Sequence, residues 1–463
     1  MMRHATASRL RLLVLIALAA CFLATAATAE ITAVTAGTAD LVTPPDSTED
    51  QTLAYGLGFP FQVAPNEAAI FCNVRVEGVA AVDFENGTDV IVFDDLANIS
   101  PDNAVAISRN ECPTDADGNE RIVVKFPVIG GFVPVGALRA DGTAHHHAGT
   151  GFGLCQAISF PLDEDGNFSW RTEKIHRCEV HQFSYDDERF EAVRSASGLE
   201  EAHPLIGDSD CKIMSPGITN AIPDGDDMLL AATVFNGTGQ TTGVVRWRRV
   251  DSLWQPIEYS PVTPPGVPWS EPSLVRDTDG ALLFSARGSG GDRYTTVQVW
   301  RKSGDGPQWQ LVVSTPDVRV WHKQEEGPEW GSVINLPKAH NSGPMSIGRA
   351  ADGTPYIGAS LLGSGRETLC IWPLNPERMH LEEPITARAA RDEFGPAPGN
   401  GKWMVDHPSS AVLRLGDGQW HGVIAYRILG NAEFKGDTPA AQSGCYVEEV
   451  ISSGPPVPPW RFE

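Results

Sequence analysis

A short hairpin signature recurs six times along this chain of 463 residues. In each copy an apolar, β-rich run leads into an Asp-Gly or Asn-Gly pair, and a second apolar run follows. Such pairs favour tight hairpin turns because both central residues tolerate positive φ. The pairs begin at Asn86, Asp141, Asp224, Asp279, Asp352 and Asp417. The sequence therefore predicts six β-hairpins.

The intervals between these turns indicate how the hairpins are arranged. They measure 55, 83, 55, 73 and 65 residues, which is enough for one four-stranded sheet each. Radial stacking of such sheets is typical of propellers. We therefore predict an all-β fold, a six-bladed β-propeller of four-stranded antiparallel blades over residues 56–463. A large β-sandwich with chance Asp-Gly turns is the alternative.

The first 29 residues have the pattern of an export signal. Three arginines precede the apolar run 12–23, and the small-residue site Ala27-Thr-Ala29 follows it. This predicts a signal peptide over 1–29, a leader over 30–55, and a secreted or periplasmic protein. Leu18-Ala-Ala-Cys21 also has the form of a lipoprotein box, so a lipid anchor on Cys21 is the alternative. No other run approaches the ~20 apolar residues of a membrane-spanning helix.

Net charge and cysteine usage restrict the partners. The formal charge of −24 disfavours nucleic acid and anionic membranes. Seven cysteines follow Ala29, and an oxidising compartment predicts that some form disulfides, with Cys155 and Cys178 as the first pair considered. No paired spacing indicates a zinc site. We expect no cofactor and a monomer, with a structural calcium ion in the central channel left open.

Charged side chains recur where the blades should meet a ligand. In a propeller, first strands begin, and second strands end, at the ligand-binding face. The starts of first strands supply Glu271, His340, Asn341, Asp406 and His407. The ends of second strands supply Arg287, Arg293, Arg366, Tyr426 and Arg427. Because a guanidinium binds a carboxylate or sulfate through two hydrogen bonds, this predicts an anionic ligand, although a salt bridge explains any single arginine equally well.

Two turns resemble the Asp box of the sialidase (neuraminidase) superfamily. They are Asp163-Glu-Asp165-Gly-Asn-Phe-Ser169-Trp170 and Ser303-Gly-Asp305-Gly-Pro-Gln-Trp309, both predicted between the third and fourth strands of a blade. Together with the hairpins, they make residues 70–450 similar to a divergent member of that superfamily, with its bacterial neuraminidase repeats. The resemblance implies a six-bladed propeller that acts as a glycosidase.

The resemblance also implies roles for individual residues. The family uses a tyrosine nucleophile activated by a glutamate and an aspartate as acid/base, which here implies Tyr426, Glu271 and Asp406. Arg287, Arg366 and Arg427 would hold a substrate carboxylate. Ser270-Glu271-Pro272 stands where sialidases have Arg-Ile-Pro, and Arg75 is an offset substitute for the lost arginine. The departure disfavours sialic acid as the substrate.

Three functions remain in competition at this point. The first is hydrolysis of an acidic oligo- or polysaccharide by the residues just named. The second is a polysaccharide lyase, in which arginine neutralises a uronate carboxylate while His340 or His407, with Tyr426, transfers protons. The third is a glycan-binding propeller without turnover.

Overall fold

The computed structural model describes most of the chain and is almost entirely β-strand. The described residues are 30–41, 52–76, 87–114, 117–166, 168–169, 175–186, 189–194, 203–205, 208–235, 239–263, 269–290, 294–302, 309–314, 344–361, 366–375, 380–398, 401–430 and 442–463. Within them no helix is long and apolar enough to cross a membrane.

Six antiparallel sheets form the blades of a six-bladed β-propeller, as predicted. The first strand of the chain, β1 (Ile31–Leu41), belongs to the last blade. Blade 1 contains β2 (Thr52–Ala64), β3 (Glu67–Val76), β4 (Gly87–Phe93) and β5 (Ala104–Arg109). Blade 2 contains β6 (Arg121–Lys125), β7 (Ile129–Val133), β8 (Thr150–Pro161), β9 (Ile175–Asp186) and β10 (Arg189–Arg194). Blade 3 contains β11 (His203–Leu205), β12 (Asp208–Pro216), β13 (Ile222–Asp224), β14 (Asp227–Phe235), β15 (Gln240–Val250) and β16 (Leu253–Pro261).

The second half of the chain repeats this plan. Blade 4 contains β17 (Trp269–Arg276), β18 (Leu282–Gly290), β19 (Tyr294–Lys302) and β20 (Gln310–Ser314). Blade 5 contains β21 (Ser346–Arg349), β22 (Pro355–Ser360), β23 (Thr368–Asn375), β24 (His380–Leu381) and β25 (Ile385–Ala389), followed by α1 (Ala390–Phe394). Blade 6 contains β26 (Met404–Arg414), β27 (Trp420–Leu429) and β28 (Gly444–Ser452), with β1 as its outer strand. Two 3₁₀ turns, Leu96–Asn98 and Pro101–Asn103, precede β5.

The two ends of the chain meet in blade 6 and close the ring. Strand β1 pairs antiparallel with β28, from Ile31 opposite Ser452 to Leu41 opposite Cys445. The segment 30–55, expected to be a leader, therefore contributes a strand of the last blade and the start of β2. Ile31 is buried against β28 and its neighbours, which gives this strand a share of the core.

The second strands of the blades are covered on both faces by the neighbouring blades. Residues Asp227–Val234 of β14 and all of β22 are buried. The sequence of a strand that is buried on both faces is apolar throughout, whereas a strand buried on one face alternates apolar and polar residues. This explains why Met228-Leu-Leu-Ala-Ala and Pro355-Tyr-Ile-Gly-Ala carry no period of two.

Five of the six predicted hairpin turns join a first strand to a second. In four of them the aspartate accepts a hydrogen bond from the backbone N–H two residues later, at 2.8–3.0 Å; these are Asp141, Asp279, Asp352 and Asp417. Gly280 shows why glycine follows, since its φ is 86°. The sixth pair differs in position: Gly87 begins β4, the third strand of blade 1, and residues 65–66 turn β2 into β3. Asn86 and the apolar run before it lie outside the described residues.

The two sequences that resemble Asp boxes lie at different positions in their blades. The second sequence falls between β19, which ends at Lys302, and β20, the third and fourth strands of blade 4, but its residues 303–308 lie outside the described residues. The first turn joins β8 to β9, the second and third strands of blade 2, because β6 and β7 together occupy the first position beside β8. The predicted location of that first turn is wrong.

The predicted disulfide between Cys155 and Cys178 is not formed. No disulfide bond joins any of the seven cysteines from Cys72 to Cys445 in the structure. Cys178 lies opposite Gln156 in the β8–β9 ladder, so Cys155 is one residue out of register with it. Successive side chains on a strand point to opposite faces, and two thiols on opposite faces cannot bond.

Candidate functional site

A cavity of about 700 Å³ opens where the inner strands of the six blades begin. Every blade contributes either a proline in or beside one of its inner strands or the residue before such a proline. These contributors are Phe59, Pro127, Pro216, Glu271, Pro344 and His407. The cavity therefore lies at the face of the propeller where the sequence analysis expected a ligand to bind.

Glu271 and His407 occupy equivalent, strained positions in blades 4 and 6. Each precedes a proline and a serine, and each lies in a register shift, between Ser270 and Ser273 and between Asp406 and Ser409. Their φ angles are 50° and 54°, in the left-handed region that non-glycine residues rarely adopt. Because proline has no N–H for the ladder, the strand bulges and turns the preceding side chain toward the cavity.

Backbone strain of this kind is concentrated at the cavity. Arg366, with φ 76°, also lines it. Among the described non-glycine residues, the remaining positive φ angles belong to Asp251 and Ser252, which form the turn between β15 and β16. Strained residues of this type cost about 1–3 kcal/mol each and cluster at functional sites. The Glu-Pro-Ser and His-Pro-Ser repeat is a signal in the sequence that would have identified the equivalence of Glu271 and His407.

Three arginines converge on the cavity, each held by a carboxylate. Arg287 Nη1 lies 2.8 Å from Glu271 Oε2. Arg366 Nη1 lies 3.0 Å from Asp406 Oδ2, and Arg427 Nη2 lies 3.0 Å from Asp406 Oδ1. The three guanidinium groups come from blades 4, 5 and 6. Arg287 and Arg427 lie on second strands, whereas Arg366 lies after the second strand of blade 5 and just before β23.

Asp406 lies beneath the cavity wall and organises its charges. Its side chain is fully buried, and its Oδ1 lies 2.9 Å from Nδ1 of His407. Burial opposes ionisation, but Arg427, His407 and Arg366 outweigh it, so the pKa of Asp406 lies far below its usual value. This lowered pKa favours the ionised carboxylate and so disfavours the general-acid role that the family resemblance implies for Asp406.

The structure does not bring Tyr426 to the cavity. Arg427 faces the cavity, and the preceding residue of a strand points to the opposite face. Tyr426 is fully buried, and its hydroxyl accepts a hydrogen bond from Arg388 Nε at 3.0 Å. Burial and the nearby Glu448 raise the pKa of Tyr426 well above its usual value, which disfavours a phenolate nucleophile.

Four other candidates cannot be placed. His340, Asn341 and Arg293 lie outside the described residues, as does the side chain of Arg75. In contrast, Lys402 lines the cavity and was not identified from the sequence, because it precedes β26 without any motif. Among the described residues, no group of three or more His, Cys, Asp or Glu side chains is placed to hold a metal ion.

Comparisons with known proteins return solved structures only. No family model matches the chain, and no curated protein matches it. A protein of unknown function from Dyadobacter fermentans aligns at 12% identity and a TM-score of 0.49, covering 93% of this chain and all of that one. A Trypanosoma rangeli sialidase in complex with the inhibitor DANA aligns at 13% identity and 0.47, covering 91% of this chain and 59% of the sialidase. A Penicillium chrysogenum alpha-L-arabinanase complexed with arabinobiose aligns at 12% identity and 0.42, covering 88% and 98%. Identities this low concern the fold alone.

Proposed function

We propose that the protein is a glycoside hydrolase that cleaves an acidic glycan in the cavity at the propeller mouth. The observation that carries this proposal is the convergence of Arg287, Arg366 and Arg427 beside Glu271 and His407. The arginines bind an anionic group of the substrate, and the other two side chains transfer protons.

The charge balance of the cavity favours an anionic ligand. Arg287, Arg366, Lys402 and Arg427 are four cations, against the two carboxylates of Glu271 and Asp406. Among the described residues of the cavity, the cations therefore exceed the carboxylates by two, in a protein whose formal charge is −24. A local positive field on an acidic protein attracts and orients anions, and paired guanidinium groups match the geometry of a carboxylate.

The Asp406–His407 contact determines which nitrogen of the imidazole can act. Because Asp406 stays ionised, it accepts a hydrogen bond from Nδ1–H of His407. Nε2 of the neutral ring then carries a lone pair toward the substrate, and the imidazolium form carries a proton there. The ring is held in one orientation in either state, as a general acid or base requires.

Hydrolysis needs two proton-transfer groups beside one glycosidic bond. Ionised Glu271 accepts a proton from the attacking water, whose oxygen bonds to the anomeric carbon. His407 donates its proton to the leaving oxygen as the bond between that oxygen and the anomeric carbon breaks. This mechanism differs from the one that the sialidase superfamily uses, which needs a tyrosine nucleophile. No tyrosine among the described residues lines the cavity.

β-Elimination is the second candidate, and the histidine beside the arginines favours it. A guanidinium that neutralises a uronate carboxylate acidifies the neighbouring carbon, from which Nε2 of His407 could remove the proton. Hydrolysis ranks first because it needs no such acidic carbon and so applies to any acidic glycan.

Mass spectrometry of the products separates these reactions. Mature protein is incubated with sialylated, uronate-containing and sulfated glycans. Fragments heavier by one water support hydrolysis, whereas fragments carrying an unsaturated uronate establish elimination. Binding without any product would overturn both and leave a glycan-binding propeller. The export pattern of residues 1–29 supports a location outside the cytoplasm for this reaction, which detection of mature protein in a culture supernatant or periplasmic extract would test.

A further inference from the structure

The wall of the cavity is divided into a charged half and an uncharged half. Blades 4, 5 and 6 supply Glu271, Arg287, Arg366, Lys402, His407 and Arg427. The described residues that blades 1, 2 and 3 supply to the wall carry no charge; they are apolar side chains, small residues and neutral amides or hydroxyls. A ligand that fills the cavity therefore meets two different chemical environments.

The uncharged half presents apolar surface to a ligand. Leu57, Phe59, Phe126, Ile129, Met214 and Ile218 line it. Phe126 and Met214 are half-buried and so remain reachable, while the other four are buried behind them. Apolar side chains at a cavity wall contribute to affinity only when apolar groups of the ligand cover them.

Two buried polar atoms in the same half have no hydrogen-bond partner among the described residues. They are Oδ1 of Asn73 and Oγ1 of Thr233. The amide of Asn73 is oriented, because its Nδ2 donates to the carbonyl of Gly87 at 3.1 Å. Its oxygen is therefore a fixed acceptor. Buried polar atoms without partners are costly, which indicates that a ligand group or water completes them.

We propose that the uncharged half is a second subsite, which holds a neutral sugar with an apolar substituent and a hydrogen-bond donor, next to the acidic unit. This inference rests on the proposed function and specifies its substrate class, an acidic sugar linked to a neutral one bearing a methyl or acetyl group. The substituent lies against Phe126 and Met214, and a hydroxyl or amide N–H donates to Asn73. Each buried methyl or methylene group then strengthens binding about fourfold.

Calorimetric titration with small acidic probes tests the second subsite. Methyl β-D-glucuronide reaches the charged half, whereas phenyl β-D-glucuronide adds an apolar group without changing the charge. We expect the phenyl compound to bind at least tenfold more tightly. Met214→Gln keeps the volume of the side chain but removes its apolar character, and should lose most of that difference. Met404→Gln, in the blade 6 part of the same cavity, is the matched control and should retain it.

The outcomes distinguish this inference from the function on which it rests. If both glucuronides bind with equal affinity, the second subsite is refuted while the arginine site stands. If Met404→Gln removes the difference and Met214→Gln does not, the apolar contact lies in the other half and the inference is likewise refuted. If neither glucuronide binds at millimolar concentration, a carboxylate-binding site at the arginines is refuted, and the subsite inference falls with it.

Discussion

Asp406 and Arg427 lie directly opposite each other on neighbouring strands and form a buried ion pair. Arg427 Nε donates to Asp406 Oδ1 at 3.1 Å, and the two residues are 3% and 0% exposed. The same carboxylate holds Arg366 and His407. One buried charge thus orients three side chains of the cavity, and Asp406 is a positioning residue that acts through them.

Asp406→Asn should destabilise the fold and change its response to acid. Removing one partner of a buried ion pair costs about 3–5 kcal/mol, because the arginines remain buried without a counter-charge. The folded-state pKa of Asp406 is lowered, so its stabilisation is present above the unfolded value of about 3.9 and is lost as pH falls below it. Denaturant titrations between about pH 2 and 7 should therefore show a shallower acid decline for the variant. Parallel curves would contradict this account.

Glu271→Gln and His407→Gln should abolish turnover while retaining binding. Both replacements keep a similar shape but remove proton transfer, which typically contributes a factor of about 10²–10⁴. We expect kcat to fall by that factor, each variant to lose one limb of the pH–rate profile, and methyl β-D-glucuronide affinity to change by less than about threefold. Glu258→Gln is the control, since Glu258 is exposed and pairs with Arg246 away from the cavity. An unchanged kcat in either cavity variant would exclude that residue from proton transfer.

Arg366→Lys should weaken binding of acidic ligands more than it affects stability. Lysine preserves the charge but not the planar fork that binds a carboxylate through two hydrogen bonds. A loss of about 1.5–3 kcal/mol corresponds to a roughly 10- to 100-fold higher dissociation constant for methyl β-D-glucuronide. Arg248→Lys, which pairs with Asp227 in blade 3, should leave that constant unchanged. Equal effects of the two changes would mean that Arg366 has no specific role.

Thr233→Val should leave the fold as stable as the wild type, or more stable, while weakening substrate binding. The hydroxyl is buried and unpaired among the described residues, so an isosteric methyl removes a desolvation cost without removing a hydrogen bond. Thermal melting and the KM for a cleaved glycan are the measurements. A lower melting temperature with unchanged KM would indicate that the hydroxyl serves the fold and not the ligand.

Gly58→Ala should destabilise the contact between blades 1 and 6. A Cβ at this position would lie 2.4 Å from Sγ of Cys445 and 2.8 Å from Cδ1 of Ile70, so the core must shift. Overpacking of this kind costs about 1–3 kcal/mol. Cys445→Ala should relieve part of the cost, so the double variant should be more stable than the sum of the two single changes predicts. Strict additivity in chemical denaturation would show that the sulfur is not the obstacle.

Local turn chemistry made the fold predictable. An Asp-Gly pair specifies its own hairpin, because the aspartate accepts from the backbone two residues on and the glycine adopts positive φ. This is why the turns at Asp279, Asp352 and Asp417 were located correctly and their regular spacing revealed the blades. Gly87, in contrast, begins a third strand, because a turn signal does not say which two strands of a blade it joins.

The sequence by itself determined the six blades and identified the arginines that blades 4 to 6 bring to one mouth. Only the tertiary structure decided which neighbouring side chains face that mouth. The bulges before Pro272 and Pro408 turn Glu271 and His407 inward, while the pleat that directs Arg427 to the cavity directs Tyr426 away from it. Contacts with Arg427, His407 and Arg366 outweigh burial and lower the pKa of Asp406, and the pairing of β1 with β28 made an expected leader part of the ring. These properties depend on long-range strand pairing and on the electrostatics of the assembled blades, which no local pattern contains.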